Sequence, residues 1–144
     1  MRVLALDYGS ARCGAALSDP TGTLASPIEP VLRADTRKGL RRVVELVESS
    51  GAELVVVGLP LSLSGGDSQQ TLRSREFAER LRRQVRVPVE LLDERFTTKV
   101  ARDLGGSAAE DSRAAAVLLD DWLAARRREP VEGDRSPSDP PAGP

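Results

Sequence analysis

Apolar residues in the first eighteen positions fall into two short runs. Residues 2–7 (RVLALD) and 11–18 (ARCGAALS) flank Tyr8-Gly9-Ser10, which predicts a hairpin of two strands with Gly9 relaxing the turn. A third strand is expected within residues 23–32. The apolar spacing then lengthens. From Asp35 or Thr36, either able to cap, Leu40, Val43, Val44 and Val47 recur at i, i+3, i+4 and i+7, and Gly51 supplies a stop, so an amphipathic helix follows. Residues 53–59 (ELVVVGL) make a β-branched run suited to a strand buried on both faces, and residues 87–93 (VPVELLD after Arg86) make a second. Between them a helix is expected over residues 69–84. Its Phe77, Ala78, Leu81 and Val85 form a buried arc. Arg73, Arg75, Arg80, Arg82, Arg83 and Arg86 lie outside that arc on what reads as a solvated face, with nucleic-acid backbone contact as the alternative.

The closing helix carries the sharpest signal. Ser107-Ala-Ala-Glu110 matches a capping box, and Ala115, Leu118, Leu119 and Trp122 then mark one apolar face. At about 100° per residue Asp111 falls on that face, whereas Asp120 points the opposite way. After Arg128 the chain reads EPVEGDRSPSDPPAGP, with five prolines in sixteen residues. Such a composition buries too little apolar area to offset ordering, and residues 129–144 are expected to be a disordered acidic tail beyond a domain of residues 1–128. The element order is three strands, helix, strand, helix, strand, short helix, long helix. This predicts an α/β fold: a five-stranded mixed sheet, an antiparallel meander followed by two parallel strands, flanked by helices.

Three carboxylates occupy positions where burial is expected. Asp7 ends the first strand, Glu94 ends the last, and Asp111 sits on the inner face of the closing helix. Buried charges need compensation by cations, protonation or metal. An oxygen-only set suits Mg²⁺ or Mn²⁺, and two such ions roughly 4 Å apart can activate a water and stabilise the leaving oxygen of a phosphodiester. Spacing alone leaves the ordinary readings open: Asp7 as a turn or cap residue, Glu94 as the partner of Arg95.

Composition narrows the chemistry. The 144 residues contain no histidine, which removes Ser-His-Asp triads, His-pair ribonuclease chemistry and imidazole metal sites together. The single cysteine, Cys13, permits no internal disulfide and no thiolate zinc cage, and it reads as core filler. Aromatic residues make up 3% of the chain, which argues against a surface built to stack unpaired bases. The net charge is −1, but four acids and one arginine lie in residues 129–144, so residues 1–128 are two charges positive. The longest apolar stretch, residues 54–61, is far short of a membrane span, and Asp7 interrupts any signal-like region. No membrane association and a cytoplasmic location are expected.

The same residues carry a family likeness. LDYGSARCGAALSD resembles the D-x-G-x-x-R-x-G-x-A-x-S-D opening of the YqgF family of Holliday-junction-resolvase-like, pre-16S ribosomal RNA nucleases. VVVGLPLSLSG is similar to its G-L-P loop, LLDERFTT to its D-E-R-[LF]-[TS]-T element, and EDSRAAAVLL to its D-x-x-A-A-x-x-[IL]-L helix. The resemblance implies an RNase H-like fold and a metal-dependent nuclease site on Asp7, Glu94 and Asp111. It implies nucleic acid as the partner, either precursor ribosomal RNA, in pre-ribosomal particles, or branched DNA. One departure stands out: where relatives carry a lysine- and arginine-rich stretch before the helix aspartate, this chain has the short, uncharged GGSAA.

Supporting roles follow from chemistry near the acids. Gly9 and Ser10 allow close backbone approach to a phosphate, and Arg12 offers a fork of donors across the turn. Arg95 can neutralise the cluster or contact the scissile strand. Pro60, Ser64 and Gly65 belong to a polar, glycine-bearing loop beside a strand end, suited to closing over substrate. Thr97 and Thr98 read as caps, and Asp19 as an Asx-type turn before Pro20. The leading expectation is a metal-dependent endonuclease that processes the 5′ end of pre-16S rRNA. The alternatives are a resolvase of four-way DNA and a non-catalytic RNA-binding module of ribosome assembly. A sugar-kinase or actin-like ATPase, whose phosphate turn also reads Asp-x-Gly-Ser/Thr, needs two lobes, and this length offers one. Monomer and homodimer remain equal alternatives.

Overall fold

In the computed structural model the described residues are 1–9, 11–59, 69–93 and 108–128, with side chains described for residues 112–126 of the last segment. Three strands open the chain: β1 (Val3–Asp7), β2 (Arg12–Ser18) and β3 (Ala25–Leu32). They are followed by α1 (Arg37–Ser50), β4 (Leu54–Leu59), α2 (Gln69–Arg82), β5 (Val89–Asp93) and α3 (Ala108–Arg128). The five strands form one sheet in the order β3-β2-β1-β4-β5. β1 pairs antiparallel with β2 and parallel with β4, and β4 pairs parallel with β5. The meander-then-crossover architecture expected from the pattern is the one observed. The short helix expected after Glu94, the capping side chains of Ser107 and Glu110 and the tail after residue 128 lie outside the described residues.

β1 is central and covered on both sides, so its side chains alternate between two cores. Leu4, Leu6 and Tyr8 join Cys13, Val31, Val43, Val47, Phe77 and Leu81 on the face covered by α1 and α2. Val3 and Ala5 join Ala16, Val56, Ala115, Leu118, Leu119 and Trp122 on the face covered by α3. The apolar stripe read from α3 is therefore the buried one, and Asp120 is exposed as its angle required. Cys13 is fully buried and in no disulfide, as core filler should be.

Local chemistry sets the helix ends. Of the two candidate caps for α1, Thr36 is used: its Oγ1 accepts from the Gly39 N–H at 3.0 Å and donates to the Arg33 carbonyl at 2.7 Å. The helix stops at Gly51, whose φ of 75° is left-handed. Gly39 is required for a different reason. A Cβ built there would stand 1.8 Å from the Arg33 carbonyl oxygen, because the turn leaving β3, with Arg33 at φ 54°, folds tightly onto the first turn of α1.

The β2–β3 turn is organised by Asp19, as its Asx-type reading predicts. Its carboxylate accepts from the backbone N–H groups of Thr23 (2.7 Å) and Leu24 (2.9 Å) and from the Thr21 hydroxyl. These donors, the Leu24 amide foremost and then the Thr21 hydroxyl, hold the Asp19 carboxyl far below the usual carboxylate range. At the far edge the Arg82 guanidinium donates to the Val89 carbonyl at 2.6 Å, occupying an edge acceptor of β5.

Both the glycine approach and the aspartate turn can be tested by unfolding. Gly39→Ala forces the Arg33 carbonyl off α1, and a loss of about 2 kcal/mol or more is expected in denaturant unfolding, within the range for overpacking; an unchanged midpoint contradicts the close approach. Asp19 stabilises the fold only while ionised, so its contribution is complete above its ordinary value of 3.8 and fades as pH falls below it. The stability gap between the protein and Asp19→Asn should therefore shrink on acidification, and a gap independent of pH contradicts the assignment.

Candidate active site

Asp7 closes β1 and is half-buried. It shares the parity of Val3 and Ala5, so strand alternation directs its carboxylate to the α3 side of the sheet. Its cross-strand partner is Gly14. Along the row formed by Asp7 and Gly14, the space on the α3 side is thus bounded by a residue without a side chain.

The first turns of α3 are fixed to this row by a break in the β2–β3 ladder. Register runs Cys13↔Val31 and then Ala15↔Ile28, so β3 carries one extra residue, over Glu29-Pro30. Such bulges occur at sheet edges, and proline there is tolerated because its missing N–H is not called upon. The bulge separates the Ala15 N–H from the Ile28 carbonyl, and the Ser112 hydroxyl stands between them. It accepts from Ala15 N at 3.4 Å and donates to the Ile28 oxygen. Ser112 is 2% exposed, so a helix side chain completes a strand ladder from within the core. Asp111 is the preceding residue of the same helical turn, and this seam carries its backbone toward the row of Asp7. Its carboxylate is outside the described side chains.

The turn after Asp7 is tight. A Cβ at Gly9 would lie 2.6 Å from the Arg12 carbonyl oxygen, so glycine is needed for close approach, with no left-handed φ involved, in place of the relaxed turn expected from the sequence. The Tyr8 carbonyl accepts from Gln70 Nε2 at 3.1 Å, tying the turn to the first residues of α2. Arg12, at the start of β2, is exposed.

The structure thus places Asp7, Gly9 and Arg12 around one turn and brings the α3 turn of Asp111 to the Asp7 side of the sheet. β5 ends at Asp93, paired with Leu59, one step beyond the Asp7 row, and Glu94 is the next residue in sequence. Glu94, Arg95, Ser10, Pro60, Ser64, Gly65, Thr97 and Thr98 lie outside the described residues. Among the described residues no three acidic, histidine or cysteine side chains are grouped to hold a metal ion. Gln70 and Ser112 hold the backbone around this turn through contacts that the sequence pattern does not single out. A signal for Ser112 is nonetheless present: a polar residue three before Ala115 and seven before Leu119, on the apolar stripe. Gln70 gives none, since its partner is a main-chain carbonyl 62 residues away.

Ser112→Ala leaves the buried Ala15 N–H and the partly buried Ile28 carbonyl unbridged. A loss of about 1–3 kcal/mol is expected in thermal or denaturant unfolding, the range for an orphaned buried polar group; a neutral substitution contradicts the bridging role.

Comparison with known proteins agrees with this architecture. A family model described as "RuvX: Holliday junction resolvase" matches residues 1–125. A protein of Mycobacteroides abscessus named "Putative pre-16S rRNA nuclease" is 42% identical, with 92% of this chain and 87% of that protein covered. One of the same name from Koribacter versatilis is 39% identical, with 90% and 93% covered. Among solved structures, Thermus thermophilus RuvC in complex with a Holliday junction substrate superposes with a TM-score of 0.57 at 17% identity, over 88% of this chain and 96% of that one. That likeness establishes a RuvC-like, RNase H-type fold. Among the described residues no helix is long and apolar enough to cross a membrane. With a model spanning residues 1–125 and relatives about 40% identical over nine-tenths of its length, the chain belongs to the RuvX (YqgF) family.

Proposed function

We propose that residues 1–128 form a metal-dependent endonuclease of structured nucleic acid, with the precursor of small-subunit ribosomal RNA as substrate. The observation that carries this reading is the placement of Asp7. A carboxylate ends the central strand on the α3 side of the sheet, and the Ser112 seam holds the turn bearing Asp111 against β2 and β3 on that same side. The names borne by the relatives support the substrate class.

The donor set fits a hard divalent cation. It is made of carboxylate oxygens, with no histidine in the chain and its one cysteine sealed in the opposite core. Asp7, Glu94 and Asp111 would hold Mg²⁺ or Mn²⁺, a pair of ions in this reading. When bound, the metal supplies positive charge that polarises the phosphodiester and lowers the pKa of a water. The chain supplies position. The Gly9 turn, closed against the Arg12 carbonyl and tied by Gln70, keeps the end of β1 rigid, so Asp7 meets substrate without reorganising. Arg12 offers two parallel donors to a phosphate next to the scissile bond. In this reading Arg95, Pro60, Ser64 and Gly65 would add contacts to the bound strand.

A second reading, cleavage of four-way DNA, is favoured by the description of the matching family model. The two are separated by offering both substrates side by side in Mg²⁺ and in Mn²⁺. Asp7→Asn keeps size and hydrogen-bonding shape while removing the charge. It should lower cleavage by at least a hundredfold, with unfolding midpoint and nucleic-acid affinity retained. Cleavage preserved in Asp7→Asn rejects the role of Asp7. Binding without any metal-dependent cutting by the unaltered protein rejects the enzyme and leaves an RNA-binding module of ribosome assembly.

A further inference from the structure

The face of the sheet opposite the Asp7 carboxylate has its own cationic feature. Tyr8, the residue after Asp7, lines a cleft of about 330 Å³ together with Ala34, Asp35, Arg73, Phe77 and Arg80. A second hollow, about 440 Å³, shares Leu40 and Arg80 with the first and continues it past Arg37 and Arg83. Together they make one groove between α1 and α2, beginning one residue from Asp7.

The six arginines of the α2 region do not form a uniform solvated face. Arg82 is occupied, donating to the Val89 carbonyl and pairing with Glu79. Arg73, Arg80 and Arg83 fall at i, i+7 and i+10, one stripe of the helix and its final turn, and they line the groove. Arg83 is held in line by its backbone N–H on the Glu79 carbonyl at 3.3 Å. Of the acids of the groove, Glu76 pairs with Arg80 and Asp35 pairs with Arg33 through Oδ2, each at 3.4 Å, while Asp35 Oδ1 is buried without a hydrogen-bond partner among the described residues. Among the described residues no carboxylate lies within ion-pair distance of Arg37, Arg73 or Arg83. At 1.5 Å per residue, Arg73 to Arg83 spans roughly 15 Å, the length of four or five base-pair steps at about 3.4 Å.

Three cations strung along an open groove suit a linear polyanion better than a single small anion, for which they would converge. The groove's aromatic rings are turned inward. Tyr8 and Phe77 stack on each other, centroids 4.5 Å apart, and are 9% and 4% exposed. No base platform is offered, so contact is restricted to phosphates.

We infer that the α1–α2 groove, through Arg37, Arg73 and Arg83, binds the sugar-phosphate backbone of the substrate arm running away from the cut, without reading its sequence. This rests on the nuclease reading for the identity of the polyanion. Substrate thus crosses the end of β1, presenting the scissile bond on the α3 side and its flanking duplex on the other.

The test uses the full chain carrying Asp7→Asn, so that nothing is cut, and measures Kd against salt for RNA duplexes and DNA duplexes of unrelated sequence. Adding Arg73→Gln and Arg83→Gln should weaken binding about tenfold or more near 0.1 M salt, equally across sequences. The slope of log K on log salt should fall by about 2, near one for each phosphate no longer neutralised. A charge-matched control, Arg42→Gln with Arg126→Gln, alters positions outside the groove and should leave affinity within about twofold. Equal effects of the two pairs, an unchanged salt slope, or no duplex binding by the parent chain each overturn the groove. With Asp7 intact, the groove variant should raise KM and keep kcat at saturating substrate. Absence of cleavage by the unaltered protein defeats the nuclease reading alone, since the binding slopes still decide the groove; a preference between the RNA and DNA arms identifies which backbone it fits.

Discussion

A strand buried on both faces must send its side chains alternately into two different cores. β1 is that strand here, and its alternation organises the molecule. Leu4, Leu6 and Tyr8 go one way, and Val3 and Ala5 the other. Because the apolar sequence stops at Leu6, the next two residues carry polar chemistry to opposite sides of a single strand end. Asp7 meets the layer of α3, and Tyr8 meets the layer of α1 and α2. A one-residue slip in register would exchange them. The antiparallel pairing to β2 and the parallel pairing to β4 both fix that register, which makes the position of the carboxylate a property of the whole sheet.

The second constraint is the bulge in β3. An extra residue in an edge strand separates a buried donor, the Ala15 N–H, from a partly buried acceptor, the Ile28 carbonyl. The Ser112 hydroxyl satisfies both groups, so α3 is located by directed hydrogen bonds as well as by the nondirectional packing of Ala115, Leu118, Leu119 and Trp122. Apolar packing alone tolerates sliding of a helix along a sheet; a hydroxyl between two backbone groups does not. Precision of this kind is what a constellation of ligands drawn from distant parts of a chain requires.

Glycine enters by two separate routes. Gly51 is used for its left-handed φ, whereas Gly9 and Gly39 are used because a carbonyl oxygen occupies the space of a Cβ. The second use closes the turns at the same end of the sheet, after β1 and after β3. Rigidity there comes from backbone packed on backbone, and it serves the candidate site on one face and the arginine groove on the other.

The sequence by itself determined the order of the described strands and helices, the Gly51 stop of α1 and the buried stripe of α3, because hydrophobic period and capping chemistry are local and each element's apolar face is written within it. It also removed imidazole from any acid-base or metal chemistry, since histidine is absent, and so pointed a hydrolase reading to carboxylates. It left Thr36 and Asp35 as equal caps, and only the carbonyl of Arg33, placed by a tight turn, chose between them. It could not separate Arg82 from Arg73 and Arg83, because all three lie outside the apolar arc of α2. What distinguishes them is whether β5 or α1 stands opposite, and that is decided by chain crossings tens of residues long. Ser112 and Gln70 belong to the same class: their partners are main-chain groups 97 and 62 residues away, and backbone atoms carry no sequence signature. Pairings of that reach come into being only when the sheet closes.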